Sequence, residues 1–423
     1  MKKVMLILLA FVLIFSMTAC GAMDAGYGGG GYGPGGGAMN GALDGGMKGE
    51  ADMDVMPEAP MEGEMAGDVV DGGVDDNGNV TTPPAGTLTA GEWKDLDHFE
   101  FWQEVLNNND WYKLMENRNL YANKMVPVLV QDADGNPCFN VAVQLLNAQG
   151  VVYEARTDVD GYAYLFHGLN KQDDAIAKVK VGNTEYDIPE GELKVTAESA
   201  GIKVTQLDLM FMIDTTGSMG DELRYLQTEL ADVISRVSYA DQALSINLSV
   251  NFYRDEEDKY VVREFEFTGD VAKAIRYLQE QDSAGGGDYA EAVHKALNSV
   301  VNNHQWRDNA VKLCFFVLDA PPHTNQEIKG VDAQMLTYVK DAAKEGIRII
   351  PLAASGVNTE TEFLLRSWAA MTGGTYTFLT DHSGYGDSHL EPTIGEYKVE
   401  ALNELMIRVI SEYCGLPYKL PNQ

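Results

Sequence analysis

Basic residues, cysteine and histidine are scarce in this chain. Its 423 residues carry 31 Lys and Arg against 64 Asp and Glu, a formal charge of −33, and only 7 His. Such an excess repels phosphate backbones and anionic lipid surfaces, so nucleic acid and basic attachment to a membrane are both excluded. The same charge suits a solvated surface protein and attracts divalent cations. Cysteine is limited to Cys20, Cys138, Cys314 and Cys414. With Cys20 assigned to lipid below, three remain, so at least one is unpaired. Cys314 lies in an apolar run, where a thiol behaves as a small hydrophobe, and a disulfide scaffold is not indicated. The motifs GxxxxGKS/T, GxSxG and HExxH are missing. Their absence removes the phosphate loop and its nucleotide, the hydrolase nucleophile elbow and the zincin helix.

Long apolar runs are equally rare. One stands at the N-terminus, MKKVMLILLAFVLIFSMTAC, where Lys2 and Lys3 precede an apolar stretch from Val4 to Phe15. That stretch is shorter than the ~20 residues needed to cross a bilayer, so residues 1–20 read as a signal peptide. Its end, Met17-Thr18-Ala19-Cys20, resembles the bacterial lipobox. The resemblance implies that Cys20 is diacylated through sulfur, becomes the mature N-terminus and is N-acylated. Several acyl chains anchor a protein stably where one does not. Gly21 follows, with no Asp to suggest inner-membrane retention in a two-membrane cell. The expected location is the extracytoplasmic surface of a bacterial cell membrane or outer membrane.

Residues 21–91 read as a linker. Between Gly21 and Ala90 lie 20 of the 43 glycines, 12 acidic residues and a single basic one, Lys48, with no apolar periodicity. This composition predicts a flexible, self-repelling tether. Residues 92–122 are aromatic: Trp93, Leu96, Phe99, Trp102 and Leu106 recur at helical spacing. They predict one helix, a break at Asn107–Asn109 and a second short helix, with the aromatic face packed on the next domain. Residues 123–206 turn to short β-branched runs at Val126–Val130, Val141–Leu146, Val151–Ala155, Tyr162–Phe166, Ala175–Val181 and Glu192–Thr196. Turn signals such as Asp134-Gly135-Asn136-Pro137 and Asp160-Gly161 separate them, predicting a small β-sandwich. The text VQDADGNPCFNVAVQLLNAQGVVYEARTDVDGYAYL resembles carboxypeptidase-regulatory-like and bacterial Ig-like modules. Asp132, Asp134 and Asn136 read as turn residues, because Gly comes too early for a calcium loop and no Glu closes it.

From residue 207 to 415 strand and helix patterns alternate, and residues 416–423 form a tail. Strands are expected at Leu207–Ile213, Leu244–Tyr253, Tyr260–Phe267, Val311–Leu318, Ile347–Leu352 and Thr375–Leu379. Helices are expected near Asp221–Tyr239, Val271–Gln281, Tyr289–Asn302, Asp332–Lys344, Glu360–Met371 and Tyr397–Glu412. The alternation predicts a mostly parallel sheet with helices on both faces, where ligands bind beyond the carboxyl ends of the strands. Three loops gather there. LMFMIDTTGSMGDEL ends an apolar strand on Asp214, and Thr216 and Ser218 follow at spacings that let their oxygens face one way. Gly217 permits a sharp turn, and Ser218 suits the cap of the next helix. FFVLDAPPH ends another strand on Asp319, and GGGDYAEA opens a helix. Carboxylate and hydroxyl oxygens without His or Cys suit a hard cation: Mg²⁺ first, Mn²⁺ or Ca²⁺ as alternatives, not Zn²⁺.

These loops together resemble the von Willebrand factor A (VWA) domain and its metal-ion-dependent adhesion site, over Leu207 to about Cys414. The resemblance implies a Rossmann-like α/β fold in which Asp214, Thr216 and Ser218 form the first motif, with Thr216 in the place of the usual Ser. Asp319 is then the strand-end acid, acting through water. Where the family has a loop Thr this chain has GGGDYAEA, which puts Tyr289 near that place, and Asp288 is expected to take over as a direct or water-mediated ligand. Arg254 and Asp255 of the YRD stretch, with His323, are candidates for the rim. The loop of Asp381, His382, Asp387 and His389 is polar and has no assigned role.

A metal held directly by hydroxyls seeks a carboxylate from a protein partner, and the adjacent helix N-terminus reinforces this; a directly bound Asp288 weakens it. The order of segments resembles bacterial surface lipoproteins that carry an A domain. The chain is therefore expected to be a multidomain, lipid-anchored binding or adhesion protein and not an enzyme. There are two rivals. DTTGS resembles the DKTGT motif of P-type ATPases and the haloacid dehalogenase hydrolases, which would make Asp214 a covalent nucleophile. Thr215 stands where the Lys belongs, however, and no GDGxND follows. In the other rival the metal is incidental, and the aromatic helices or the sandwich bind the partner.

Overall fold

The computed structural model describes residues 82–171, 175–197, 203–240 and 244–418. The signal peptide, Cys20, the tether as far as residue 81 and residues 419–423 lie outside the described residues. The first half runs β1 (Thr89–Trp93), α1 (Phe99–Leu106), α2 (Asn109–Arg118), β2 (Met125–Gln131), β3 (Ala142–Asn147), β4 (Gly150–Arg156), β5 (Tyr162–Phe166), β6 (Lys178–Val181), β7 (Thr184–Asp187) and β8 (Leu193–Thr196). The second half runs β9 (Gln206–Asp214), α3 (Leu223–Ala240), β10 (Ser245–Tyr253), β11 (Val262–Arg263), α4 (Val271–Gln279), α5 (Val293–Asn302), β12 (Val311–Leu318), α6 (Val331–Glu345), β13 (Ile347–Ala353), α7 (Thr359–Thr372), β14 (Tyr376–Leu379), β15 (Glu400–Ala401) and α8 (Leu402–Tyr413). No helix among the described residues is long and apolar enough to cross a membrane.

An eight-stranded sheet of order β11-β10-β9-β12-β13-β14-β1-β15 organises the second half. Its five central strands, β10, β9, β12, β13 and β14, are parallel. Leu209–Ile213 and Leu313–Leu318 are buried without interruption. Strands covered on both faces need this continuous apolarity, because each pleat meets a helix layer. In α3, Leu226, Leu230, Val233 and Val237 are buried at helical spacing and supply part of that cover.

Three expected boundaries shift, each for a visible reason. The division between tether and helices at 91/92 falls inside β1, which extends the sheet antiparallel to β14. Trp93 is therefore a strand residue and not the first of a helix. Residue 91 must be glycine here, since a Cβ would sit 2.5 Å from the Phe378 ring. The strand expected at Tyr260–Phe267 shrinks to Val262–Arg263. Beyond it, the Ser249 hydroxyl donates to Phe265 O (2.7 Å) and Phe265 N donates to Asn251 Oδ1 (2.8 Å), so side chains of β10 take over from the ladder. The last helix starts at Leu402 and not Tyr397, because Glu400–Ala401 pairs with β1.

The aromatic helices form as expected; Trp102 and Trp111 face inward, whereas Tyr112 is exposed. Trp102 and Trp111 are buried edge to face, 5.9 Å apart. The Arg366 guanidinium lies 4.5 Å from the Trp102 ring and is fully buried. It donates to both Asp95 oxygens (2.9 and 2.6 Å), to Glu362 Oε1 (2.9 Å) and to Thr393 O (2.7 Å). Residues 125–196 form a three-stranded sheet, β5-β2-β8, and a four-stranded sheet, β4-β3-β6-β7, whose inward Val128, Val130, Val143, Leu145, Ala163 and Leu165 share one buried cluster. The Tyr153 hydroxyl donates to Met371 O (2.6 Å), tying these strands to α7. Cys138, Cys314 and Cys414 are all buried, and neither Cys314 nor Cys414 forms a disulfide.

Breaking a buried ion pair from one side leaves an uncompensated charge. Asp95→Ala is expected to cost about 3–5 kcal/mol in urea unfolding followed by tryptophan fluorescence. The exposed control Asp97→Ala should stay within about 0.5 kcal/mol.

Candidate metal centre

β9 continues to β10 on one side and β12 to β13 on the other, so the connections from the two central strands part beyond their carboxyl ends. Such a switch point opens a crevice for ligands. Asp214 ends β9, and Asp319 follows the last residue of β12, with Val317 paired in register to Ile213. Asp214 Oδ1 accepts from the Thr216 amide (2.8 Å) and hydroxyl (2.6 Å), and the Thr216 and Ser218 hydroxyls are 3.2 Å apart. Ser218 sits inside a 3₁₀ turn, Gly217–Gly220, and not at the cap of α3. Thr215 turns the other way: its amide and hydroxyl both donate to Tyr253 O at 3.0 Å, which fastens the loop to β10.

The glycine loop is stapled to this turn. Ala284 N donates to Thr215 O (3.0 Å), Gly217 N to Gly285 O (3.1 Å) and Gly286 N to Asp258 Oδ2 (2.9 Å). The chain then rises to Glu291, whose amide donates to Pro321 O (3.0 Å), two residues beyond Asp319. Gly286 has φ +70°, and a Cβ there would lie 3.0 Å from Glu291 Oε1 and 3.5 Å from the Thr216 Cβ. The Glu291 carboxylate is thus beside Thr216.

Asp288 is not. It is exposed, and among the described residues it makes no hydrogen bond or ion pair. Tyr289 is pinned by its hydroxyl to Gly356 O (2.6 Å) and Glu291 by its amide to Pro321 O, so the loop presents Glu291 inward and leaves Asp288 in solvent. The helix expected from Tyr289 accordingly begins at Val293. The carboxylate was in view in the sequence as part of GGGDYAEA; its inward direction was not.

Asp214, Asp319 and Glu291 are 0, 3 and 2 % exposed, and each keeps one oxygen with no hydrogen-bond partner among the described residues: Asp214 Oδ2, Asp319 Oδ1 and Glu291 Oε2. Burial pushes Asp214 up to about 6, against the opposing Thr216 bonds. Burial and then the Asp214 charge push Asp319 up to about 7. Burial and then the charges of Asp214, Asp255 and Asp319 push Glu291 up to about 9. No group of three His, Cys, Asp or Glu side chains is spaced as a metal cage among the described residues. The converging set instead mixes carboxylates with the Thr216 and Ser218 hydroxyls. Unbonded, mutually repelling buried oxygens of this kind fit a hard divalent cation.

The rim candidates separate. His323 is buried, with Nε2 2.7 Å from Asp255 Oδ1. Arg254 turns away, donating to Asp282 O (2.6 Å) and lying 4.6 Å from the Tyr260 ring. Two unforeseen groups brace the crevice. Arg118 of α2 donates to Pro322 O (3.0 Å) and His323 O (2.9 Å), just past Asp319, and pairs with Glu360 (2.7 Å). Glu222 is fully buried and bonded to His389 Nε2 (2.7 Å), whose Nδ1 meets Asp381 (2.7 Å). Burial opposes charge on His389, yet these two carboxylates hold its pKa above the ordinary value.

Residues 208–385 match the family described as von Willebrand factor type A domain. They form a VWA domain. Two curated proteins are similar to part of this chain. The "Alpha-protein kinase vwkA" of Dictyostelium discoideum is 23 % identical over 152 residues, 36 % of this chain and 24 % of that protein. The "Putative ariadne-like RING finger protein R811" of Acanthamoeba polyphaga mimivirus is 27 % identical over 117 residues, 28 % and 11 % of the respective lengths. This chain thus spans a quarter or less of either relative. The crystal structure of the conserved hypothetical protein BatB from Bacteroides thetaiotaomicron aligns over 50 % of this chain and 87 % of that one, at 13 % identity and a TM-score of 0.28. The fold described above rests on this chain's own strand order and not on that alignment.

Carboxyls whose folded pKa is raised bind more protons folded than unfolded, so the unfolding free energy falls as pH rises across the gap. For Asp214, Asp319 and Glu291 that window runs from about pH 4 to about pH 9. In chelator, the melting temperature should fall with pH across this window more steeply than in saturating Mg²⁺, where the ion replaces the protons. Parallel pH profiles in the two conditions would remove the electrostatic account of the centre.

Proposed function

We propose that this chain is a binding protein anchored by lipid at Cys20 to the extracytoplasmic surface of a bacterial cell membrane or outer membrane, and not an enzyme. Its A domain holds a divalent cation, Mg²⁺ in the first instance, and engages a protein partner through an acidic side chain that completes the coordination. The observation that carries this reading is the set of unbonded buried oxygens on Asp214, Asp319 and Glu291, beside the Thr216 and Ser218 hydroxyls. VWA domains commonly bind such an ion and serve protein interaction. The N-terminal signal and lipobox resemblance support the location, and residues 123–206 read as an Ig-like or carboxypeptidase-regulatory-like spacer between anchor and A domain. Binding by the aromatic helices is not favoured, since Trp102 and Trp111 are buried. Nor is a phosphoaspartyl nucleophile, since Asp214 is fully buried and has one oxygen bonded by Thr216.

The test is a Mg²⁺ titration of the purified, chelator-treated full chain, followed by melting temperature. A hundredfold excess over Kd stabilises the folded state by about 2.7 kcal/mol. The parent should melt higher with Mg²⁺, and Asp214→Ala should not respond. A parent chain indifferent to Mg²⁺, Mn²⁺ and Ca²⁺ overturns the reading.

A further inference from the structure

We propose that residues 381–389 are a strap latched by a proton: it closes over the start of α3 while a doubly protonated His389 bridges Glu222 and Asp381, and it opens when that proton leaves. The strap follows β14 through a 3₁₀ turn, Asp381–Ser383, and comes back to the A domain at His389. The His389 side chain is only 4 % exposed and stands between two carboxylates. Nε2 lies 2.7 Å from Glu222 Oε1 and Nδ1 2.7 Å from Asp381 Oδ1, while the His389 amide donates to the same Asp381 oxygen (2.9 Å). A neutral imidazole has a single N–H, so only the imidazolium donates at both ends. Further contacts set the strap down on the helix. The Asp387 amide donates to Asp221 Oδ2 (2.7 Å), and the Tyr385 ring lies 4.4 Å from that of Tyr225 in α3. Gly386, at φ +83°, is a point of close approach, where a Cβ would collide with Glu222 Oε1.

Glu222 is the reason the proton matters. It is fully buried, and its other oxygen accepts a long bond from the Ser355 amide (3.3 Å). Loss of the His389 proton turns a ring lone pair toward one carboxylate and removes the cation that offsets a buried charge. Asp381, with its side chain 66 % exposed, is solvated when the strap lifts; Glu222 is not. The charged groups acting on the ring are Glu222, from the turn entering α3, and Asp381, from the strap itself. His382 acts in turn on Asp381, and Asp319 and Glu222 repel each other. Burial disfavours charge on His389, but its two carboxylates hold the pKa above the ordinary value. The latch is therefore fully set below about pH 6.5 and is lost as pH rises through the raised folded value. Opening uncovers Asp221, Glu222 and Tyr225, so the A domain presents different surfaces in acid and in mildly alkaline surroundings.

The melting temperature is expected to fall with pH through Asp214, Asp319 and Glu291 as well, so the test reads the strap itself. The purified full chain is followed from about pH 5.5 to about pH 8.5 by hydrogen exchange, corrected for the intrinsic rate, and by the NMR shift of the His389 Cε1 proton. In the parent, protection of the Asp387 and His389 amides should fall by up to about tenfold per pH unit above the ring's titration midpoint, which should lie above the ordinary histidine value. Helix α6 is the reference segment and should keep its protection. His389→Gln should leave the strap poorly protected at every pH. Gly386→Ala keeps all three titrating groups but bars the close approach; it should do the same and return the ring's midpoint to the ordinary value. Equal protection at both ends of the range in the parent, the same pH dependence surviving in His389→Gln, or a ring that titrates below the ordinary value would overturn the latch. Exchange and ring midpoints more than about one pH unit apart in the parent would also overturn it, so the parent alone decides if a variant fails to fold.

Discussion

Three carboxylates share one crevice from which water is largely withdrawn, and each keeps an oxygen that no group among the described residues bonds. A buried carboxylate costs several kcal/mol of desolvation, and neighbours of the same sign add to the cost. The rest of the A domain can be understood as the structure needed to hold that arrangement together. Parallel strands with continuous apolar faces give Asp214 and Asp319 rigid bases. The Thr216 bonds satisfy one Asp214 oxygen and leave the other without a partner among the described residues.

The loops above the crevice are held from several directions at once. The segment after Asp319 receives Arg118 from α2 and the Glu291 amide from the glycine loop, and its His323 reaches Asp255 beyond β10. The turn after Asp214 is tied to the glycine loop and to Tyr253. Rigid placement matters for a cation site because a divalent ion tolerates little error in ligand position, Mg²⁺ least of all. These ties enlist segments outside the A domain, so the aromatic hairpin belongs to the architecture of the site. Its Trp102 and Trp111 are buried, Tyr112 is exposed, and its Arg118 fixes the backbone next to Asp319.

The same integration holds at the sheet edge. Glu229 of α3 accepts from the amides of Gly86, Thr87 and Leu88 at 2.8, 2.8 and 3.0 Å, setting the chain on course for β1. β1 then covers the edge of β14, which would otherwise present unpaired backbone groups to other chains. The segment entering from the tether side is therefore joined to the helix that follows the Asp214 loop.

Much of this was legible in residue order. Apolar runs ending on Asp214 and Asp319 marked the strands and their ligand ends, because burial on both faces leaves no room for alternation. The helical spacing of Phe99, Trp102 and Leu106 marked the hairpin. The strand at Tyr260–Phe267 was misread because its β-branched and aromatic pattern is real, but Ser249 and Asn251 on another strand claim its backbone. The strand identity of Trp93 was hidden for a related reason: its partner, Tyr376, lies far along the chain. The choice between Asp288 and Glu291 belongs to the same class. Local pattern supplies both carboxylates with equal plausibility, three residues apart. Tyr289 anchored to a carbonyl 67 residues away, and Glu291 anchored beside Asp319, turn one into the crevice and the other to solvent. Strand ends and ligand types follow from short-range chemistry, whereas the direction of a loop side chain is set by long-range hydrogen bonds that exist only once the sheet has brought those loops together.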